Sequence, residues 1–243
     1  MLNINCDMGE SFGIYKMGDD ERIMPHITHA NVACGMHASD PNHMQNTVKL
    51  AKRHGVKVGA HFSLPDLQGF GRREMTMSRE ELRNTILYQV GALNAFLESE
   101  NMQLSHLKPH GALYGMAAKQ EATAMAVIDV AKIYNLPIYG MIDTTQHLMT
   151  IEHNVPFVAE FFADLDYAAN GQLIISKKHH AVNAKEVRAK VRDAVLHNKV
   201  KTVEGDYIST KVETICVHSD TPNAHELVTG ISDELLNLVN NHE

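Results

Sequence analysis

Short apolar runs alternate with longer amphipathic stretches along the chain, and this alternation sets the expected elements. Runs at 2–6, 31–36, 56–61, 104–109, 137–142, 155–160 and 213–218 have strand length. Segments 40–54, 78–99, 120–134, 183–197 and 222–240 carry helical spacing. The second of these is the clearest. Ser78 and Glu81 form a capping box, and Leu82, Ile86, Val90 and Leu93 keep one apolar face. Asp40-Pro41 opens the first helix with an N-cap and a proline at the first helical position, and Asn135-Leu-Pro137 stops the third.

Strand–helix alternation implies parallel pairing through right-handed crossovers. Seven strands fit a closed barrel better than an open sheet, although periodicity alone leaves closure open. Two segments break the pattern. Residues 62–77 form a long loop directly after His61, and 200–211 reads as a β-hairpin turning at Glu204-Gly205-Asp206. Long ordered loops at strand C-termini are usually functional.

At 243 residues and 44% hydrophobic content, the chain can bury one substantial core, so a single domain over 1–243 is expected. A net charge of −7 and a pI near 6.1 argue against a nucleic-acid partner. Basic residues cluster no further than pairs such as Arg72-Arg73 and Lys177-Lys178. No apolar stretch approaches the roughly 18 residues of a membrane span. The chain opens into Leu2-Asn-Ile-Asn-Cys6 without a basic or apolar leader, which points to the cytoplasm. Cys6, Cys34 and Cys216 sit inside strand-like runs and read as small core residues; a nucleophilic role for Cys6 or Cys34 is the alternative.

The chemistry gathers at the ends of the apolar runs. Four of them lead into His37, His61, His110 and His218, and the first leads into Asp7-Met-Gly-Glu10. Parallel strands collect such C-terminal groups at one end, where α/β proteins keep their chemistry, so an enzyme is expected. Asp7 and Glu10 suit a divalent ion, a general base or a cap. The histidines suit a metal, proton transfer or both, and spacing does not choose between them. No His-Glu-x-x-His, Cys-x-x-Cys or EF-hand loop occurs, so the metal is left unknown. Lys108, in Lys108-Pro109-His110, could stabilise an oxyanion, hold a phosphate or form a structural ion pair. Gly69-Phe-Gly71-Arg72-Arg73 suits a substrate carboxylate or phosphate. No P-loop occurs. Glu160, Asp164 and Asp166 follow the sixth strand; Asp220 follows the seventh and could equally cap the last helix.

Taken in order, the blocks Asn5–Glu10, Ala30–Pro41, Gly59–His61, Asp66–Arg73, Lys108–Tyr114, Glu160–Asp164 and Cys216–Pro222 resemble the LamB/YcsF family over nearly the whole chain. The resemblance implies a distorted seven-stranded parallel β/α barrel of the glycoside hydrolase/deacetylase type. It also implies ATP-dependent opening of 5-oxo-L-proline to L-glutamate, with ADP and phosphate, in a 5-oxoprolinase whose other subunits are B and C. A divalent metal is then expected as magnesium accompanying ATP. Three departures stand out: Phe62 and Leu64 replace a usual proline and tyrosine, Leu165 a usual arginine, and Ser219 a usual glycine. If that arginine helps to bind substrate, the departure puts the identity of the lactam in doubt.

A five-membered lactam is nearly strain-free, so its hydrolysis needs activation, which ATP can supply by phosphorylating the amide oxygen. Asp7, His61, Lys108 and His110 are assigned to catalysis: Lys108 for charge on oxygen, Asp7 with His61 or His110 for the proton of water. Glu10, Asn31, His37, Arg72, Arg73, Glu160, His218 and Asp220 are assigned to substrate binding. Two alternatives stand beside this. One is a stand-alone metal-dependent amide or N-acetyl hydrolase using Asp7 and two histidines as ligands. The other is a non-catalytic lactam-binding partner in the complex.

Overall fold

The computed structural model describes residues 2–174 and 180–240. Eleven strands and eight helices follow in order: β1 (Asn3–Met8), α1 (Asp20–Ile23), β2 (His29–Ala33), α2 (Pro41–His54), β3 (Lys57–Phe62), α3 (Arg79–Ser99), β4 (Leu104–Pro109), α4 (Gly111–Ala117), α5 (Glu121–Tyr134), β5 (Ile138–Gly140), α6 (Thr145–Glu152), β6 (Phe157–Phe162), β7 (Asp166–Tyr167), β8 (Leu173–Ile174), α7 (Ala184–His197), β9 (Lys199–Lys201), β10 (Tyr207–Ser209), β11 (Thr214–His218) and α8 (Ala224–Asn240). A 3₁₀ turn, Met24–His26, follows α1.

Seven strands close a parallel barrel in the order β1-β11-β6-β5-β4-β3-β2, as expected from the alternation. The boundaries shift locally. β2 ends at Ala33 rather than at 36, β5 is three residues long, and β6 runs on to Phe162. The hairpin is present as the antiparallel pair β9–β10, and a second small hairpin, β7–β8, was not expected. Helices α4 and α6 were also not expected. The basic pair Lys177-Lys178 lies outside the described residues. No helix among the described residues is long and apolar enough to cross a membrane.

Local chemistry accounts for the helix ends. Asp40 accepts from the Asn42 and His43 amides at the start of α2, and Gly55 closes that helix in the left-handed region. The Ser78–Glu81 capping box is formed in full. Leu82, Ile86, Val90, Leu93 and Leu97 of α3 are all buried, each contributing about 1.5–3 kcal/mol against exposure.

The barrel strands alternate, and the alternation decides what the interior holds. Ile4, Cys6, Ala30, Val32, Val58, Ala60, Leu107, Phe161, Ile215 and Val217 belong to the apolar core. The alternate set, Asn5, Asp7, Asn31, His61, His106, Lys108, Thr214 and Cys216, meets across the barrel through its hydrogen bonds. Asn5 Nδ2 donates to Thr214 Oγ1 at 2.9 Å, and His106 Nε2 lies 2.7 Å from Asn31 Oδ1. The His106 ring passes directly over Gly59, where any Cβ would overlap it; the β3–β4 register shifts at this point.

Candidate active site

Register sets the heights of the functional side chains. Asp7 lies opposite His218 and Asn31, and His61 opposite Lys108, so groups far apart in sequence share one level. All lie at the C-terminal end of the parallel strands.

Lys108 is the centre of the deepest layer. Its Nζ lies 2.9 Å from Asp7 Oδ1, 2.9 Å from Glu160 Oε1, 3.3 Å from Asn5 Oδ1 and 3.1 Å from Cys216 Sγ. Asn31 Nδ2 donates to Asp7 Oδ1 at 2.8 Å, which fixes the carboxylate. Burial alone would favour neutral forms of both charged groups. Opposing that, His61 and Lys108 hold the Asp7 carboxyl below its usual range, while Asp7 and Glu160 hold the Lys108 ammonium above its own.

Above this layer stands a histidine group. His61 Nδ1 donates to the Lys108 carbonyl at 3.0 Å, and its Nε2 lies 3.3 Å from Asp7 Oδ2 and 2.9 Å from His110 Nδ1. His110 Nε2 donates to the Phe70 carbonyl at 2.8 Å. His37 stacks on His110 with centroids 3.7 Å apart and planes 8° apart, and its Nε2 meets Glu10 Oε1 at 3.1 Å. Burial and the charges of Asp7 and Asp220 push the Glu10 carboxyl well up. His218 differs: burial works against its charge, but Asp164 at 3.1 Å and Asp7 raise it to about 9.

The loop after β3 brings a backbone acceptor and a guanidinium to this group. Phe70 is in the left-handed region at φ +53°, which aims its carbonyl at His110. Gly71, at φ +64°, lies so close to Ser63, His110 and His37 that a side chain would collide with them. Arg72 crosses the Phe70 ring and pairs with Asp220 at 2.6 Å. Arg73 turns outward onto Asp66 with 63% of its side chain exposed. The two arginines, indistinguishable as neighbours in sequence, therefore occupy different places.

A narrow cavity of about 50 Å³ lies between these polar groups and an apolar wall that includes Phe162, Leu165 and Leu173. A groove of about 750 Å³ lies outside it, and Arg72 lines both. The chemistry is at the smaller cavity, where Asp7, His61, Lys108, His110 and His218 meet. Among the described residues, the Tyr114 hydroxyl and His37 Nδ1 are buried without a hydrogen-bond partner, and Tyr114 lines the cavity. Phe62 and Leu64 are core residues, whereas Leu165 gives the cavity an apolar surface.

The structure thus brings together Asp7, Glu10, Asn31, His37, His61, Lys108, His110, Glu160 and His218, with Arg72 and Asp220 at the rim and Arg73 outside. Sequence reading missed Asn5, His106 and the Phe70 carbonyl. Asn5 and His106 each lie two positions before an expected site residue, so strand periodicity carried a signal for them. A backbone carbonyl carries none. All three cysteines are free, and burial raises their thiols, that of Cys34 to about 12, so they pack rather than attack.

Two donor clusters could hold a metal ion: Glu10, His37, His61 and His110, and Asp7, Cys216 and His218, with the ligand atoms of each within 4.8 Å of one another. The first was tested against the geometry of coordination. Donors of a tetrahedral site sit about 3.3 Å apart. The His61–His110 nitrogens are closer, at 2.9 Å, and the parallel His37 and His110 rings cannot both aim lone pairs at one point. As arranged, this cluster suits a proton rather than an ion. In the second, Lys108 lies within 3.1 Å of both Asp7 and Cys216, placing a positive charge against two of the three donors.

The model of the LamB/YcsF family matches residues 2–240. The 5-oxoprolinase A subunit of Vibrio cholerae serotype O1 is 46% identical over 235 residues, covering 95% of this chain and 96% of that protein. The 5-oxoprolinase A subunit of Pyrococcus abyssi is 44% identical over 234 residues, covering 95% and 92%. The crystal structure of the lactam utilization protein from Thermus thermophilus superposes with a TM-score of 0.91 at 36% identity, covering 98% of this chain and 97% of that one.

Proposed function

The chain belongs to the LamB/YcsF family, and from that membership we propose that it opens 5-oxo-L-proline to L-glutamate as the A subunit of a multi-subunit 5-oxoprolinase. Subunits B and C are its partners in this reading, and ATP, carried with magnesium, is consumed in the complex to activate the amide oxygen. The setting is cytoplasmic, with the whole chain acting as one domain.

The observation that carries the reading is a buried carboxylate, ammonium and histidine pair meeting at one small cavity at the barrel's C-terminal end. Such a site can do what lactam opening requires. Lys108 offers a positive charge to the carbonyl oxygen as negative charge develops there, in surroundings that exclude water. Asp7, held ionised, takes the proton of the attacking water. Arg72 can exchange Asp220 for the substrate carboxylate. The unpartnered Tyr114 hydroxyl is placed to bond substrate, and the wall of Phe162 and Leu165 suits the ring methylenes.

The test is glutamate formation from 5-oxoproline and ATP, measured with the three subunits singly and in combination. Activity from the combination is expected. Full activity of this chain by itself would contradict the complex, and none from any mixture would contradict the substrate.

A second reading, a stand-alone metal-dependent amide or N-acetyl hydrolase, draws on the two donor clusters. About one tightly held zinc or cobalt ion per purified chain would favour it.

A further inference from the structure

We propose that His61 and His110 share a third proton, forming an imidazolium hydrogen-bonded to a neutral imidazole, and that this pair protonates the departing ring nitrogen. The second half rests on the amide-opening reading above; the first does not.

The argument is a count of hydrogens. His61 Nδ1 faces the Lys108 carbonyl at 3.0 Å, and His110 Nε2 faces the Phe70 carbonyl at 2.8 Å. Carbonyl oxygens only accept, so each of these outer nitrogens carries a hydrogen. Two neutral rings possess just these two. Yet the inner nitrogens, His61 Nε2 and His110 Nδ1, stand 2.9 Å apart, the length of an N–H···N bond. Two bare lone pairs repel at that distance. A third hydrogen between them removes the conflict, and the spacing is too short for two ligands of one ion.

Charge balance gives the same answer. The buried and rim carboxylates Asp7, Glu160, Asp164 and Asp220 are faced by Lys108, Arg72 and His218, the last kept cationic by Asp164. Glu10 is pushed toward its neutral acid. One negative charge is then left in excess inside the barrel, which burial makes costly. The third proton supplies the missing positive charge. It sits on His61, 3.3 Å from Asp7 Oδ2, while His110, stacked on His37 and driven down by burial, stays neutral. The groups facing the pair are Asp7 and Glu10 from β1 and its loop, Cys34 and His37 after β2, Arg72 from the loop after β3, Lys108 from β4 and His218 from β11.

In the reaction, a water oxygen bonds to the ring carbonyl carbon and its proton passes to Asp7. The C–N bond breaks, its electron pair stays on nitrogen, and nitrogen takes the His61 Nε2 proton. Asp7 then returns its proton to His61 across 3.3 Å, restoring both groups. Phe70 acts as a positioning residue, because its carbonyl fixes which His110 nitrogen accepts.

The test begins with ¹⁵N-histidine spectra of the isolated chain at neutral pH. His61 should be protonated on both nitrogens and His110 on Nε2 alone, with a far-downfield shared proton that vanishes in His61→Gln and in His110→Ala. Two neutral rings, or a stoichiometric metal whose removal changes these resonances, would overturn the pair. In the combined enzyme, His110→Ala should move the alkaline limb of kcat down by about one pH unit, because the protonated ring loses its acceptor. His110→Asn, whose Oδ1 can replace Nδ1, should restore most of that shift. An unmoved limb in His110→Ala would overturn the acid role. The spectra need no substrate, so they stand or fall apart from the 5-oxoproline reading, which fails separately if the combined subunits make no glutamate.

Discussion

Replacing Lys108 by Met keeps the length of the side chain while removing its charge and donors. The ammonium is 2% exposed and touches Asp7 and Glu160 at 2.9 Å each. Neither Glu160 oxygen accepts another hydrogen bond among the described residues, so the ion pair is what offsets its burial. Removing one partner of a buried pair costs about 3–5 kcal/mol, because an uncompensated charge stays behind. With a urea slope of about 3 kcal/mol per molar for a chain of this size, the midpoint at pH 7 should fall by about 1–1.7 M. The direction with pH follows from the folded-state shifts. Asp7 is held below its unfolded value, so its share of stability is present above about pH 4 and lost as pH falls further. Lys108 is held above its unfolded value, so its share persists until about pH 10.5 and is lost above that. The gap between wild type and Lys108→Met should therefore narrow at pH 3–4, where the stranded carboxyls take up protons. Adding Glu160→Gln should recover part of the loss at pH 7. A midpoint unchanged at pH 7, or a deficit as large at pH 3 as at pH 7, would refute the reasoning.

Other outcomes follow from the same geometry. Arg72→Ala should raise KM for the lactam about 10- to 150-fold, the worth of a charge-assisted bond of about 1.5–3 kcal/mol, whereas Arg73→Ala should leave it within about twofold; steady-state kinetics of the combined enzyme separate them. Gly71→Ala should cost about 1–3 kcal/mol and lower turnover, because a side chain there displaces His110; thermal melting and the glutamate assay check both. Acid should destabilise the barrel floor. His29 is pulled down to about 4 by burial and Lys57, and burial also lowers His106, so their contribution is intact above about pH 6.5 and lost as pH falls toward 4. A melting temperature that rises over that interval in wild type, or falls equally in His29→Gln, would contradict this.

Much of the architecture was legible because the strands announce it twice, by length and by the polar group at each C-terminal end. His37, His61, His110 and His218 reach one cavity region because register, fixed by closure, puts them at neighbouring heights. Helix ends were legible where a side chain makes the cap, as at Asp40 and Ser78. Helix α4 has no side-chain cap and spans seven residues, so a polar cluster concealed it. Partner choice was not legible. Nothing local tells that Arg72 meets Asp220, 148 positions away, while Arg73 meets Asp66. The tautomers of His61 and His110 were hidden for a different reason: main-chain carbonyls set them, and these depend on loop conformation rather than on residue type.

The most direct test of the central claim is the rate of glutamate formation by the combined subunits carrying Asp7→Asn, which keeps the shape of the side chain and removes its basicity. Turnover at least about 10²-fold below wild type, in a chain that melts cooperatively, is the expected result. A wild-type rate in that variant would place the chemistry somewhere other than the C-terminal end of this barrel.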